Sequence, residues 1–351
     1  MLNSVFAKRT ALLKSELRKQ GLDSFLVTKD VNVSYLTGFN GHDAAAVITM
    51  GRSFLFVDSR YVEEAKDCVK GFDIRLVKRS LYENITEAIE DNRLKKIGFE
   101  SAELPYEVAE RLKGLIKKSF FVPVRGLVED LRSVKDLDEI RLIRNSIHLA
   151  KDVLARVRPF IKPGITEEFI ARKIDIDFIE NGAKSAFDPI VAADANSSKP
   201  HATPTKRKVG KNSVVMIDMG GILQRYNSDI TRIFTVGSIK PRMAKIYDVV
   251  RTAQAMAIEA VRPGERIAQI DATARRYIRS KGLGKYFGHA LGHGVGLEIH
   301  EKPTVSGLNE GVLRPGMVFT VEPAVYIPKL GGIRVEDMVL VTDKGCEILS
   351  A

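Results

Sequence analysis

The chain has 351 residues with 55 basic and 44 acidic side chains, a formal charge of +11, and a length that predicts two domains. The positive excess is spread out, 21 basic against 17 acidic groups over 1–126 and 34 against 27 over 127–351; this excludes the concentrated basic patch of a nucleic-acid binder, and the densest run, Lys206-Arg207-Lys208, reads as a solvated loop. Two cysteines, Cys68 and Cys346, exclude a disulfide framework, and with no signal peptide and no apolar run long enough to span a bilayer the expectation is a soluble, cytoplasmic protein without a membrane partner.

Residues 1–126 read as a small α/β unit. A helix runs to Lys19, SFLVT (24–28) is a strand, AAAVITM and RSFLFVDS make a hairpin turning at Gly51, RYVEEAKDC is helical and FDIRLVK is a strand. Helices and strands then alternate as far as Phe121. The boundary is placed at 126/127, because VEDLRSVKDLDEI (128–140) opens a long amphipathic helix. Its stripe is Leu142, Ile143, Ile147, Leu149, Ala150 and Leu154, and Pro159 and Pro163 end it. In residues 127–351, helices TEEFIARKIDIDFIENG (166–182), PRMAKIYDVVRTAQAMAIEAV (241–261) and RIAQIDATARRYIRSKG (266–282) flank strand segments. The implied plan is α+β, with helices outside a curved antiparallel sheet.

Two of the strand pairs carry acids in apolar surroundings. VVMIDMGG (214–221) and YNSDITRIFTVG (226–237) form one hairpin, with Asp218 and Asp229 on its two strands. GMVFTVEPAVYIP (316–328) and GGIRVEDMVLVT (331–342) form another, with Glu322 and Glu336. A carboxylate buried in such a run is costly unless it is paired or binds a metal. Between the hairpins GHALGHGVGLEIHE (288–301) contributes His289, His293 and His300. Four carboxylates and one imidazole match two divalent cations in charge, and the donor set suits manganese, cobalt, iron or zinc. Singly, each acid has an ordinary reading: Asp218 as a cap before Gly220, Asp229 as an Asx turn, Glu336-Asp337 as a solvated edge. The ordered set of five carries the metal reading. His42 and His148 are read as ordinary structural histidines.

With these motifs the chain resembles, over essentially its whole length, the pita-bread metallopeptidases, the family of methionyl aminopeptidase, Xaa-Pro aminopeptidase and Xaa-Pro dipeptidase (prolidase). The resemblance implies that Asp218 in IDMGG, Asp229 in SDITR, His293 in GHGVGLEIHE, Glu322 in VEPAVY and Glu336 in RVED are the five metal ligands. It places His201 in SSKPHATPT, His289 and His300 on the substrate side, makes Glu322 the proton carrier as well as a ligand, and assigns Arg334 to orienting a ligand carboxylate. Two divalent ions are implied, Mn2+ or Co2+ before Zn2+ or Fe2+, with a hydroxide between them as nucleophile. The implied architecture is a pita-bread catalytic domain of pseudo-twofold symmetry over 127–351. It is preceded over 1–126 by a smaller α/β domain that resembles the creatinase-like one through VSYLTGF (33–39) and VDSRYVEEA (57–65). Methionyl aminopeptidases lack that domain; in prolyl-specific relatives it helps to wall the active site and form a homodimer. The expected activity is therefore hydrolysis of the Xaa-Pro bond of proline-containing dipeptides, with an Xaa-Pro aminopeptidase acting on longer peptides as the alternative. A non-catalytic binding module on the same fold is a distant alternative, disfavoured, like a metal-free creatinase, by the intact ligand set. Ile233 and Ala192-Ala193-Asp194 depart from the usual prolyl-specific pattern without touching a ligand.

Overall fold

The computed structural model describes residues 2–351, and the chain divides into two compact units, Met1–Arg132 and Ser133–Ala351. The first holds a six-stranded mixed sheet in the order Phe72–Leu76, Ser53–Val57, Ala45–Thr49, Ser24–Val27, Lys96–Glu100, Phe120–Val124. The predicted hairpin pairs Ala46 with Leu55 in antiparallel register, and parallel strands extend the sheet on either side of the central ones. Ala45–Thr49 and Ser53–Val57 are buried at every residue, which is why they read as continuous apolar runs rather than alternating ones.

The sequence boundary moves. The helix Leu127–Arg132 goes with the first unit: Arg132 Nη1 donates to Asn32 Oδ1 at 2.8 Å, and Asn32 Nδ2 donates to Glu129 at 2.7 Å and to Glu100 at 2.6 Å. The long helix expected from residue 128 starts only at Leu137. Its start is set by a capping box, in which Asp136 Oδ1 accepts from the Glu139 N–H at 2.9 Å and Glu139 Oε2 from the Asp136 N–H at 3.0 Å.

The second unit is built twice over. Helices Leu137–Val157 and Glu167–Glu180 accompany strands Ile190–Ala193, Ser213–Met219 and Ile230–Val236; helices Pro241–Glu259 and Ile267–Ser280 accompany the strands from Gly292 to Val341. Pro163-Gly164 and Pro263-Gly264 open the second helix of each half, with φ of +90° and +81° at the glycines. The backbone pairing repeats as well. Gly164 N–H donates to Val209 O and Gly264 N–H to Leu313 O, while Glu167 N–H donates to Arg207 O and Ile267 N–H to Gly311 O. Separate apolar cores form against the two helix pairs, one with Val153, Ile170, Ile174, Phe178, Val215 and Ile217, the other with Ile246, Val250, Ile270, Phe319 and Val339.

Both acid-bearing hairpins are interrupted. Thr231 pairs with Asp218 and Ile230 with Met219, after which Gly221–Leu223 and Tyr226–Asn227 form a small hairpin in another sheet. Likewise Val318–Val321 pairs with Asp337–Val341, and Ala324–Ile327 with Gly331–Arg334, in different sheets. Asp229, Glu322 and Glu336 lie at the breaks and Asp218 one residue before the end of its strand. Gly220 makes one break feasible, since a Cβ there would sit 1.9 Å from Ser228 O.

Candidate active site

The interruptions turn four carboxylates inward within the second unit. Asp218, Asp229 and Glu336 are 8 %, 5 % and 2 % exposed. Among the described residues Asp229, His293 and Glu336 form a group whose ligand atoms all lie within 4.8 Å of one another. Glu322 joins them through His293, whose Nε2 is 3.4 Å from Glu322 Oε1 and 3.5 Å from Asp229 Oδ2. Asp218 faces the same group, adding to the repulsion that lifts the proton affinities of Asp229, Glu322 and Glu336.

Burial first, and then the charges of Glu336, Asp218 and Glu322, push the Asp229 carboxyl well above its ordinary range. Burial also raises Glu336, with Glu322 and Asp218 adding to it. Glu322 is pushed up to about 8 by burial, against the lowering effect of Arg334. His293 is driven down to about 4 by burial and then by His300 beside it, so its ring is neutral near pH 7. Its Nδ1 lies 3.2 Å from Gly294 O, which in a neutral ring assigns the proton to Nδ1 and leaves the Nε2 lone pair facing two carboxylates. Acceptors facing acceptors in a buried site are stable only around protons or cations. Asp218 Oδ1 is likewise buried without a hydrogen-bond partner. The donor set therefore fits divalent metal ions.

Around these side chains lies a scaffold that sequence reading recovered only through Arg334. The Arg334 guanidinium, 4 % exposed, contacts Asp218 Oδ2 and the Tyr326 hydroxyl, and donates from Nε to Thr231 Oγ1 at 3.1 Å and from Nη1 to Pro200 O at 3.2 Å. The Thr231 hydroxyl donates to Glu336 Oε2 at 2.7 Å. Thr320 Oγ1 accepts from the His293 N–H at 3.1 Å and donates to Glu322 Oε1 at 3.2 Å. Thr231, Thr320 and Tyr326 were not singled out from the sequence. A signal was available for the threonines, polar residues that stand two positions from Asp229 and Glu322 beside otherwise apolar strands.

The three histidines expected on the substrate side have distinct settings. His289 Nδ1 faces Ala290 O at 2.7 Å, its Nε2 is buried without a partner, and burial lowers its pKa to about 4. The His300 ring is exposed at 4.2 Å from that of His293, its pKa lowered by partial burial and by His201. His201 is exposed and follows Pro200, whose carbonyl Arg334 holds. His42, near Asp30 in the first unit, and His148, on the helix Leu137–Val157, belong to no such group.

The family model for metallopeptidase family M24 matches residues 141–343, and that for the creatinase/prolidase N-terminal domain matches residues 9–134. The chain is 38 % identical to an Xaa-Pro dipeptidase of Pyrococcus horikoshii over 95 % of its length and 93 % of the relative's. Among solved structures, an Xaa-Pro dipeptidase from Bacillus anthracis superposes with a TM-score of 0.95 at 33 % identity, covering 98 % of this chain and 97 % of that one. An X-Pro aminopeptidase from Thermotoga maritima superposes with a TM-score of 0.87 at 32 % identity, covering 96 % and 97 %. No helix among the described residues is long and apolar enough to cross a membrane.

Proposed function

Because the chain belongs to metallopeptidase family M24, we propose that it is a metal-dependent exopeptidase that hydrolyses the Xaa-Pro bond of proline-containing dipeptides. The observation that carries the reading is the convergence of Asp218, Asp229, His293, Glu322 and Glu336, with neutral His293 presenting its lone pair to two carboxylates. These five side chains are the proposed ligands. Against the four carboxylates, the site's cation is the Arg334 guanidinium on Asp218, an imbalance that supports two divalent ions; Mn2+ or Co2+, before Zn2+ or Fe2+, is the choice that the family resemblance implies. Such ions supply Lewis acidity, lowering the pKa of water toward neutrality and polarising the scissile carbonyl.

The chain's own residues do the rest. Glu322, beside His293 and Thr320, takes the nucleophile's proton and delivers it to the leaving proline nitrogen, a step worth about 10²–10⁴-fold. His201 and His300 donate to the substrate backbone and the developing oxyanion. His289 keeps a free Nε2 acceptor for a substrate donor. Arg334 fixes Asp218 directly and Glu336 through Thr231. A homodimer in the cytoplasm completes the reading, supported by the match to the creatinase/prolidase N-terminal domain.

Metal-stripped protein reconstituted with Mn2+ or Co2+ should cleave Met-Pro. Substantial cleavage of Ala-Pro-Ala would instead identify an Xaa-Pro aminopeptidase, the alternative to which the likeness to the Thermotoga maritima structure lends some support. Cleavage of neither, or full activity without metal, would overturn the proposal.

A further inference from the structure

Glu167 is wholly buried, and its carboxylate joins the two ends of one loop. Oε1 accepts from the Ala193 N–H at 2.7 Å; Oε2 accepts from Asn196 Nδ2 at 2.9 Å, the Thr205 N–H at 3.0 Å and Thr205 Oγ1 at 2.6 Å. These donors are neutral amides and a hydroxyl, which together replace the water a buried carboxylate has lost.

The duplicated architecture indicates that the fold itself does not require this acid. The equivalent position in the second half is Ile267, 2 % exposed, with the same backbone pairing around it: Glu168 N–H donates to Thr205 O as Ala268 N–H does to Asn309 O. One half thus makes the same turn with an aliphatic side chain where the other places a charge. What distinguishes the first half is its loop, Ala193–Thr205, which carries His201.

Between those ends the loop is anchored to the active-site strands. Asp194, at φ +50°, accepts from the Val214 N–H at 3.1 Å and Ser213 Oγ at 2.8 Å. Ser197 Oγ accepts from the Gly332 N–H at 2.8 Å, and Pro200 O accepts from Arg334, which grips Asp218. His201 is therefore reached by a loop tied to Glu167 at both ends and to the metal-site scaffold between them.

We propose that Glu167 is a positioning residue that sets the 193–205 loop so that His201 meets the substrate; the proposal rests on the peptidase reading above. The carboxylate is the one acceptor that both ends of the loop share. Glu167→Gln keeps the size and replaces one oxygen with an NH2 group that faces donors, so that one end of the loop comes free.

The test combines hydrogen exchange with a double-mutant cycle. Glu167→Gln should speed amide exchange at least tenfold at Ala193 or at Thr205, whichever faces the new NH2 group, leave metal stoichiometry by titration unchanged, and lower kcat/KM about 10–100-fold, as displacement of a substrate-contacting group does. Introduced into His201→Ala, the same change should cost about twofold or less, because its effect passes through the imidazole already removed. Additive losses in the double variant, or unchanged exchange in the loop, would overturn the proposal. Thr205→Val and Asn196→Ala each delete a single side-chain donor and should give smaller effects of the same kind; they decide the matter if Glu167→Gln does not fold. If the wild-type protein cleaves no Xaa-Pro substrate the peptidase reading fails, while exchange in the loop still decides whether Glu167 holds it.

Discussion

Removing the metals should make stability depend steeply on pH, and Glu322 sets the scale. Its carboxyl is raised from an ordinary 4.5 to about 8, chiefly by burial, and Asp229 and Glu336 are displaced in the same direction. A folded-state pKa above the unfolded one means that the stabilisation is complete below about pH 4.5 and is lost as pH rises through about 8, because the unfolded chain ionises freely while the metal-free fold resists. For Glu322 the gap of about 3.5 pH units, at about 1.36 kcal/mol each, is on the order of 5 kcal/mol. That is comparable to the entire stability of many domains, roughly 5–15 kcal/mol. Urea unfolding of the metal-free protein, followed by circular dichroism from pH 5 to 9, should show the midpoint falling through this window. Glu322→Gln should flatten much of the fall, and added Mn2+ should abolish it, since cations then take the place of the protons. A midpoint of the metal-free protein that stays constant from pH 5 to 9, or a Glu322→Gln variant with the full wild-type slope, would refute the reasoning.

Three further outcomes are expected. In the metal-loaded enzyme Glu322→Gln should fold yet abolish turnover, since it removes a ligand charge and the proton carrier together; wild-type rates would refute that role. Thr231→Val, nearly isosteric, leaves Glu336 Oε2 without its 2.7 Å donor and should weaken metal binding about 10–100-fold by calorimetry, with Thr231→Ser retaining most of the affinity. Gly292→Ala would set a Cβ 1.9 Å from Thr320 O, displacing the strand that carries His293; metal titration should show weakened binding, and unaltered affinity would count against the tight approach seen there.

The acids and histidines of the candidate site, the strand segments, the helices and the close relation to prolyl peptidases were all legible in the chain, because each rests on local chemistry: acids in apolar runs, glycines at tight turns, apolar residues at helical spacing. Sequence alone mistook the start of the long helix, since Leu127–Arg132 is held in the first unit by Arg132 and Asn32, contacts spanning 100 positions, whereas the helix after it is started by the local Asp136–Glu139 box. It also treated the acid hairpins as simple ones. Their interruption depends on which sheet each half-strand joins, and that is settled by pairing partners far along the chain.

What the sequence determined by itself is the inventory: four acids in apolar runs, the histidines placed among them, and a chain of two units. Only the tertiary structure decided how that inventory is held, with Thr231 linking Glu336 to Arg334, Arg334 linking Asp218 to the Pro200 carbonyl, and Glu167 closing the loop of His201. Each link joins residues remote in sequence, and its strength depends on burial and on ångström-scale register. Neither quantity is present in residue identity or spacing until the chain has packed.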